Sequence, residues 1–300
     1  MKITMNKIKS LFIGLFPMFA MAVAGYGIYH LLSSGLDLIW LGAVLITLPI
    51  MMFISRVMVF KNMARTSSHF PLLTLIAVVG LSLSIYGYVA SVSTVLGTVE
   101  ATAFNTLGLS LACVGFVFFV LYNFWYSSLG RTANTRLDVG KTLPVITVTD
   151  AQGSRITSAS FVGSPTVYIF FRGNWCPLCM AQIKEVATQY QALSALGAKV
   201  VLCAPQPEKN TQALADKFSV PFIFVTDVAN TAAQTLGIEM KNGLPAGMEM
   251  LGYDKDTVYP TVIITDAEGN IIYSDLTNNY RIRPEPEDFI EVLNRHAQLA

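Results

Sequence analysis

Phe170-Phe171-Arg172-Gly173-Asn174-Trp175-Cys176-Pro177-Leu178-Cys179 is the stretch on which the reading of this chain turns. A β-rich run, Thr166 to Phe171, precedes the cysteines, and its unbroken apolar character predicts a buried central strand. From Met180 to about Leu196, the residues Ile183, Val186, Tyr190, Leu193 and Leu196 recur at helical spacing, which predicts one amphipathic helix with a core-facing stripe. Both cysteines therefore fall in the first turn of a helix that follows a strand. The free N–H groups and positive dipole end at that position favour a thiolate, the form that attacks disulfides and peroxides. Pro177 suits the first turn, where its missing N–H would have no partner anyway.

Two blander readings of Cys176 and Cys179 compete. A zinc site needs a second CxxC or a histidine pair at matching spacing. Only Cys113 and Cys203 remain, and His30, His69 and His296 are scattered, so no metal is expected. A purely structural disulfide would close so short a loop that it would add little stability. Redox chemistry is the better reading of the pair, and no cofactor motif accompanies it.

Working outward, the composition divides the chain. Of the 300 residues, 53% are hydrophobic and 13% charged, against about 25% charged in soluble domains, so a membrane region is expected. Residues 1–129 hold six basic residues (Lys2, Lys7, Lys9, Arg56, Lys61, Arg65) and two acids, Asp37 and Glu100. Net charge +1 with no basic stripe predicts no nucleic-acid binding. Four cysteines, two of them in one motif, make no disulfide framework.

Four apolar segments, roughly Leu11–Leu32, Leu36–Ile54, Phe70–Ala90 and Ala101–Trp125, approach the ~20 residues that cross a bilayer. Trp40, Trp125 and Tyr126 lie near segment ends, as interfacial anchors would. The first segment exceeds the ~7–15 apolar residues of a signal peptide, and no clear small-x-small cleavage site closes it, so a retained helix is expected. Lys and Arg fall before segment one, between two and three, and after four; Ser33–Asp37 and Ser91–Glu100 have none. The positive-inside rule then predicts both termini, and the C-terminal domain, in the cytoplasm at a bacterial-type inner membrane. Cys113 is the only cysteine in the segments, so they do not read as a dithiol relay. His30 reads as interfacial, and Asn105 and Asn123 as packing groups able to bond between helices.

The expected organisation is a four-helix transmembrane region over 1–129, a basic linker over 130–141 and an α/β domain over 142–300. In the last part, Val145–Thr149 and Arg155–Phe161 flank a hairpin turn at 150–153. Strands are predicted at Thr166–Phe171, Lys199–Ala204 and Phe222–Thr226, and short helices at Thr211–Phe218 and Ala229–Leu236. Thr261–Thr265 and Ile271–Ser274 form a second hairpin, and Glu285–Gln298 a closing amphipathic helix. This order predicts parallel and antiparallel strands in one sheet with helices packed on it.

That order, with CxxC opening the first long helix, resembles the thioredoxin fold. Phe-Arg-Gly-Asn-Trp-Cys-Pro-Leu-Cys (171–179), the Ala204-Pro205-Gln206-Pro207 loop, Phe222–Asp227, the Tyr259-Pro260-Thr261 junction and the 279–287 tail resemble the AhpC/TSA-type redoxins. Among them the peroxiredoxin-like branch with an FRGxWCPxC signature is the nearest match, over about 140–295. The resemblance implies that Cys176 is an exposed attacking thiolate and Cys179 its partner, supported by Trp175, Arg172 and Pro260. Pro260 matches the family's cis-proline, which faces the dithiol; X–Pro bonds are the ones where cis is cheap.

The chain also departs from the family. The peroxiredoxin pattern PxxxTxxC is absent: counting back from Cys176 gives Gly173 and Ile169, and from Cys179 gives Cys176 and Arg172. If Cys179 fills the peroxidatic slot, the two roles swap. Arg172, Arg281 and Arg283 are candidates for the cation that lowers a thiol pKa and polarises a peroxide, although each alone reads as a surface or ion-pairing arginine. Cys203 reads as a small core residue. The implied activity is that of a membrane-anchored thiol oxidoreductase cycling between dithiol and disulfide. Its substrate is a hydroperoxide or a protein disulfide, and its reductant a thioredoxin-like protein or small thiol. A non-catalytic redox sensor or scaffold is the reading from another class.

Overall fold

The computed structural model describes residues 2–60, 66–94 and 99–299. Lys61 and Arg65, counted above in a positive connection, lie outside them. Contacts divide the described chain into two units, one of residues 11–60 and 66–128, the other of residues 2–10 and 129–299.

The helical unit draws on α1 (Lys2–Ser34), α2 (Leu38–Phe60), α3 (Pro71–Thr94) and α4 (Val99–Val120). All four helices are long and apolar enough to cross a membrane. Pro17 and Pro49 sit inside α1 and α2 without ending them, as membrane helices tolerate. Asp37, placed by sequence at a segment edge, caps α2 by accepting from the Ile39 N–H at 2.8 Å. Helices α2 and α3 approach closely at Gly42 and Gly80. A Cβ on Gly42 would stand 2.2 Å from the Gly80 carbonyl oxygen, so only glycine fits. Buried Ser84 donates across the same interface to the Ile39 carbonyl at 2.9 Å. The fourth apolar segment does not stay α-helical: Leu121–Tyr126 is a π-helical turn. Buried Asn123 bonds outside its own helix, to the His69 carbonyl at 2.7 Å.

In the other unit, β1 (Thr147–Asp150) and β2 (Arg155–Thr157) form the first hairpin, and β3 (Thr166–Phe170) leads to the cysteines. Then come α5 (Pro177–Thr188), α6 (Tyr190–Ala195), β4 (Lys199–Ala204), α7 (Glu208–Lys217), β5 (Ile223–Thr226) and α8 (Thr231–Leu236). A short ladder of β6 (Glu239–Met240) with β7 (Thr257–Val258) precedes β8 (Thr261–Thr265), β9 (Ile271–Asp275) and α9 (Pro286–Leu299). Seven strands form one sheet in the order β2-β1-β5-β4-β3-β8-β9. Strands β3, β4 and β5 run parallel, while β1, β8 and β9 are antiparallel to their neighbours. This is the mixed sheet of a thioredoxin-like fold. Strand β3, hydrogen-bonded on both sides, is buried along its whole length, which explains its unbroken apolar run.

Several expectations need correction. The single helix expected over 180–196 is two, α5 and α6, broken at Gln189. There the ladder tightens to a Gln189-to-Val186 bond at 3.1 Å, and the Gln189 side chain reaches Glu287 at 2.9 Å. The break turns Tyr190 and Leu196 only half inward, while Ile183, Val186 and Leu193 stay in the core. Residues 158–161, expected to extend a strand, form a 3₁₀ turn. Helix α7 begins three residues before its predicted start, after Pro207. Residues 130–141 are no free linker. Leu137 is completely buried in the core of the α/β unit, and Arg131 N–H donates to Asn278 Oδ1 at 2.9 Å. Residues 237–258, unassigned by sequence, hold the β6–β7 ladder.

Candidate active site

Strand β3 and helix α5 carry the motif, and the loop between them makes the site. Gly173 has φ +141°, and a Cβ there would stand 2.6 Å from the Trp175 indole nitrogen, so this turn requires glycine. Cys176 caps α5, its sulfur accepting from the Cys179 N–H at 3.4 Å. Pro177 occupies the first turn, as its chemistry predicts. The Cys179 thiol donates to the Cys176 sulfur, with the two Sγ atoms 2.7 Å apart.

Both cysteines are buried, Cys176 at 4% exposure and Cys179 at 1%. The expectation that Cys176 is exposed is therefore corrected. The loop before it is pinned from two sides. Asn174 N–H donates to Gln206 Oε1 at 2.8 Å, and Tyr253 O–H donates to Asn174 Oδ1. Gln206 continues inward to Thr211 at 3.3 Å, and Thr211 to Thr226 at 2.6 Å, all three buried. Arg172 is buried too. Its guanidinium stacks on Trp175 at 4.7 Å and donates to the Gly243 carbonyl, while Thr257 Oγ1 donates to the Arg172 carbonyl at 2.9 Å.

These surroundings separate the two thiols. The hydrogen bond from Cys179 holds the Cys176 pKa down to about 6, against the cost of burial and with help from the Arg172 and Arg283 charges. Cys179 is pushed well above the ordinary thiol range, first by burial and then by its role as donor to Cys176. Arg281 and Arg283, read as surface or ion-pairing arginines, are both buried, and Arg283 contributes charge to the pair. Cys203 is buried in the sheet core, its pKa raised by burial and by Asp227.

Pro260 differs from expectation. No peptide bond among the described residues is cis. The preceding Tyr259 lies under the Arg131 guanidinium at 5.1 Å, and the Pro260 carbonyl accepts from Arg131. The Tyr259–Pro260 bond is trans, the form that X–Pro bonds prefer. Sequence reasoning named Gln206 only as part of a supporting block, and missed Gly243, Tyr253 and Thr257. They lie 67 to 81 residues beyond Cys176 along the chain, and no local pattern marks them. Three buried nitrogens near the motif in sequence have no hydrogen-bond partner among the described residues: Arg172 Nε, Trp175 Nε1 and Gln182 Nε2. No cluster of three or more His, Cys, Asp or Glu among the described residues could hold a metal ion.

A thioredoxin-like sheet with two buried, electrostatically split cysteines at the head of its first helix defines a redoxin domain. Residues 139–274 match the model of the AhpC/TSA family. Chloroplastic peroxiredoxin Q of Sedum lineare is 28% identical over 125 residues, 41% of this chain and 67% of its own length. That of Populus jackii is 26% identical over 112 residues, 37% of this chain and 53% of its own. Thiol-disulfide oxidoreductase ResA of Bacillus thuringiensis subsp. konkukian is 24% identical over 136 residues, 45% of this chain and 75% of its own. The crystal structure of Enterococcus faecalis AhpC aligns with a TM-score of 0.44 at 15% identity, covering 54% of this chain and 93% of that one. The chain spans between half and two thirds of the length of the two peroxiredoxin Q relatives.

Proposed function

We propose that the chain is a thiol-dependent peroxidase held at a membrane, with Cys176 as nucleophile and Cys179 as resolving thiol. The observation that carries this is the split between two sulfurs 2.7 Å apart, one favoured as thiolate and one held as thiol. The Cys176 thiolate attacks one oxygen of a hydroperoxide. The O–O bond breaks, a sulfenic acid forms at Cys176, and the leaving alkoxide takes a proton to become an alcohol or water. The Cys179 sulfur then attacks the sulfenic sulfur, a disulfide forms and water departs. Two equivalents of a thiol, from a thioredoxin-like protein or a small molecule, restore the dithiol by exchange. Arg172 supports the thiolate, and Trp175 fixes the Arg172 plane by stacking.

The second reading is a protein-disulfide reductase, favoured by the CxxC at the helix start and by the similarity to ResA. The 4% exposure of Cys176 favours the smaller substrate, since a protein disulfide must reach the sulfur in line. Steady-state turnover of the full chain with hydrogen peroxide and with a disulfide separates the two. Peroxide turnover that vanishes in Cys176→Ser supports the peroxidase. Disulfide turnover without peroxide turnover would replace it by the reductase, and absence of both by the sensor. The four long apolar helices support membrane insertion. The placement of basic residues supports a bacterial-type inner membrane with the redoxin domain in the cytoplasm, which a C-terminal reporter fusion tests.

A further inference from the structure

The first two turns of α1 belong by their contacts to the redoxin unit rather than to the helical one. Asn6 Nδ2 donates to the Lys241 carbonyl and Ser10 Oγ to the Leu244 carbonyl, each at 2.7 Å. Four residues apart, Asn6 and Ser10 lie on one helix face, and they hold two carbonyls three residues apart. Between those carbonyls lies the Gly243 carbonyl, which receives the Arg172 guanidinium. Residues 241–244 are thus gripped by α1 and by Arg172 together. Asp256 steadies the same strip, accepting from the Asn242 N–H at 2.8 Å and from Lys241 Nζ at 3.0 Å. The strip has no slack at its centre, because a Cβ on Gly243 would stand 2.6 Å from Thr257 Cγ2. Thr257 in turn holds the Arg172 carbonyl. A displacement of the strip is therefore a displacement of Arg172.

We propose that the first two turns of α1, through Asn6 and Ser10, are a positioning element of the redox site: they fix the 241–244 carbonyls, these fix the Arg172 guanidinium, and Arg172 sets how readily Cys176 reacts. The helix thereby does more than anchor. The proposal rests on the reading of Cys176 as the reacting thiol. Its physical basis is the steep dependence of a charge–thiolate interaction on geometry where water is excluded.

The test is the rate of Cys176 alkylation by iodoacetamide as a function of pH, measured on the full chain in detergent micelles. In Asn6→Ala/Ser10→Ala the midpoint should rise by about half a pH unit, slowing alkylation at pH 6 about twofold. Ser10→Thr, which keeps the hydroxyl, should leave the midpoint in place. Arg172→Lys should raise the midpoint by itself, and adding the α1 substitutions to it should change little, because both act on one guanidinium. A wild-type midpoint in the α1 double variant overturns the proposal, as does a shift that adds in full to that of Arg172→Lys. If the double variant melts at a lower temperature, this non-additivity still decides, since general loosening would add. A wild-type chain in which Cys176 is not the first cysteine alkylated at pH 6 would instead sink the reading of the site on which the proposal stands.

Discussion

In the helical unit, polar side chains mostly serve their own helix. Thr47 bonds back to the Ala43 carbonyl at 2.8 Å, Ser82 to Val78 at 2.9 Å and Ser110 to Thr106 at 2.7 Å. In the redoxin domain, the polar groups around the motif bond across long stretches of chain: Gln206 to Asn174, Thr257 to Arg172, Arg172 to Gly243. A hydroxyl that bonds one turn back satisfies itself wherever its helix goes. A buried amide or guanidinium bonded at long range ties its geometry to the whole fold. Reactive groups need the second arrangement, and both members of the cysteine pair sit inside it.

The comparison can be broken first at the level of the chain. A fragment of residues 129–300 should give a cooperative melt without detergent, because Leu129 N–H already donates to the Asn278 carbonyl at 3.0 Å. A fragment of 142–300, which removes Arg131 and the core residue Leu137, should not. If both fragments melt alike, residues 130–141 are a linker after all. A smaller effect comes from one side chain: Leu137→Ala in the full chain should destabilise the redoxin domain by about 2–5 kcal/mol, the cost of a core cavity. Urea denaturation followed by the tryptophan signal measures it, and a loss within about 0.5 kcal/mol, as for an exposed residue, would contradict the packing. The smallest effect sharpens the electrostatic half. Because the Cys176 pKa is lowered, its thiolate grows as pH rises through about 6 and is lost below it. Alkylation of Cys176 should therefore plateau near neutrality, whereas an ordinary thiol keeps rising to about pH 8.5. A midpoint near the ordinary value would remove the claimed support from Cys179 and Arg172.

What the sequence disclosed follows the same division. The strand–CxxC–helix core was legible because its signals are local: an apolar run, a first-turn proline, a 3.6-residue stripe. The four helices were legible for the same reason, by length and composition. The break at Gln189 was not, since the stripe continues through it and the cause lies partly in Glu287, 98 residues on. Tyr253 and Thr257 were hidden because they lie in a segment whose sequence carries no period, and whose bonds reach the motif 79 and 85 residues away. Pro260 lies between β7 and β8, its bond is trans, and its carbonyl accepts from Arg131, in a stretch that composition had marked as a linker.

The central claim is that Cys176 attacks and Cys179 resolves. Cys179→Ser should be treated with one equivalent of hydrogen peroxide in the presence of a dione that traps sulfenic acids, and the peptides then mapped by mass spectrometry. The account predicts a dione adduct on Cys176 in that variant, and none on any cysteine in Cys176→Ser. An adduct on Cys179 in Cys176→Ser, with Cys176 unmodified in Cys179→Ser, would reverse the roles and contradict it.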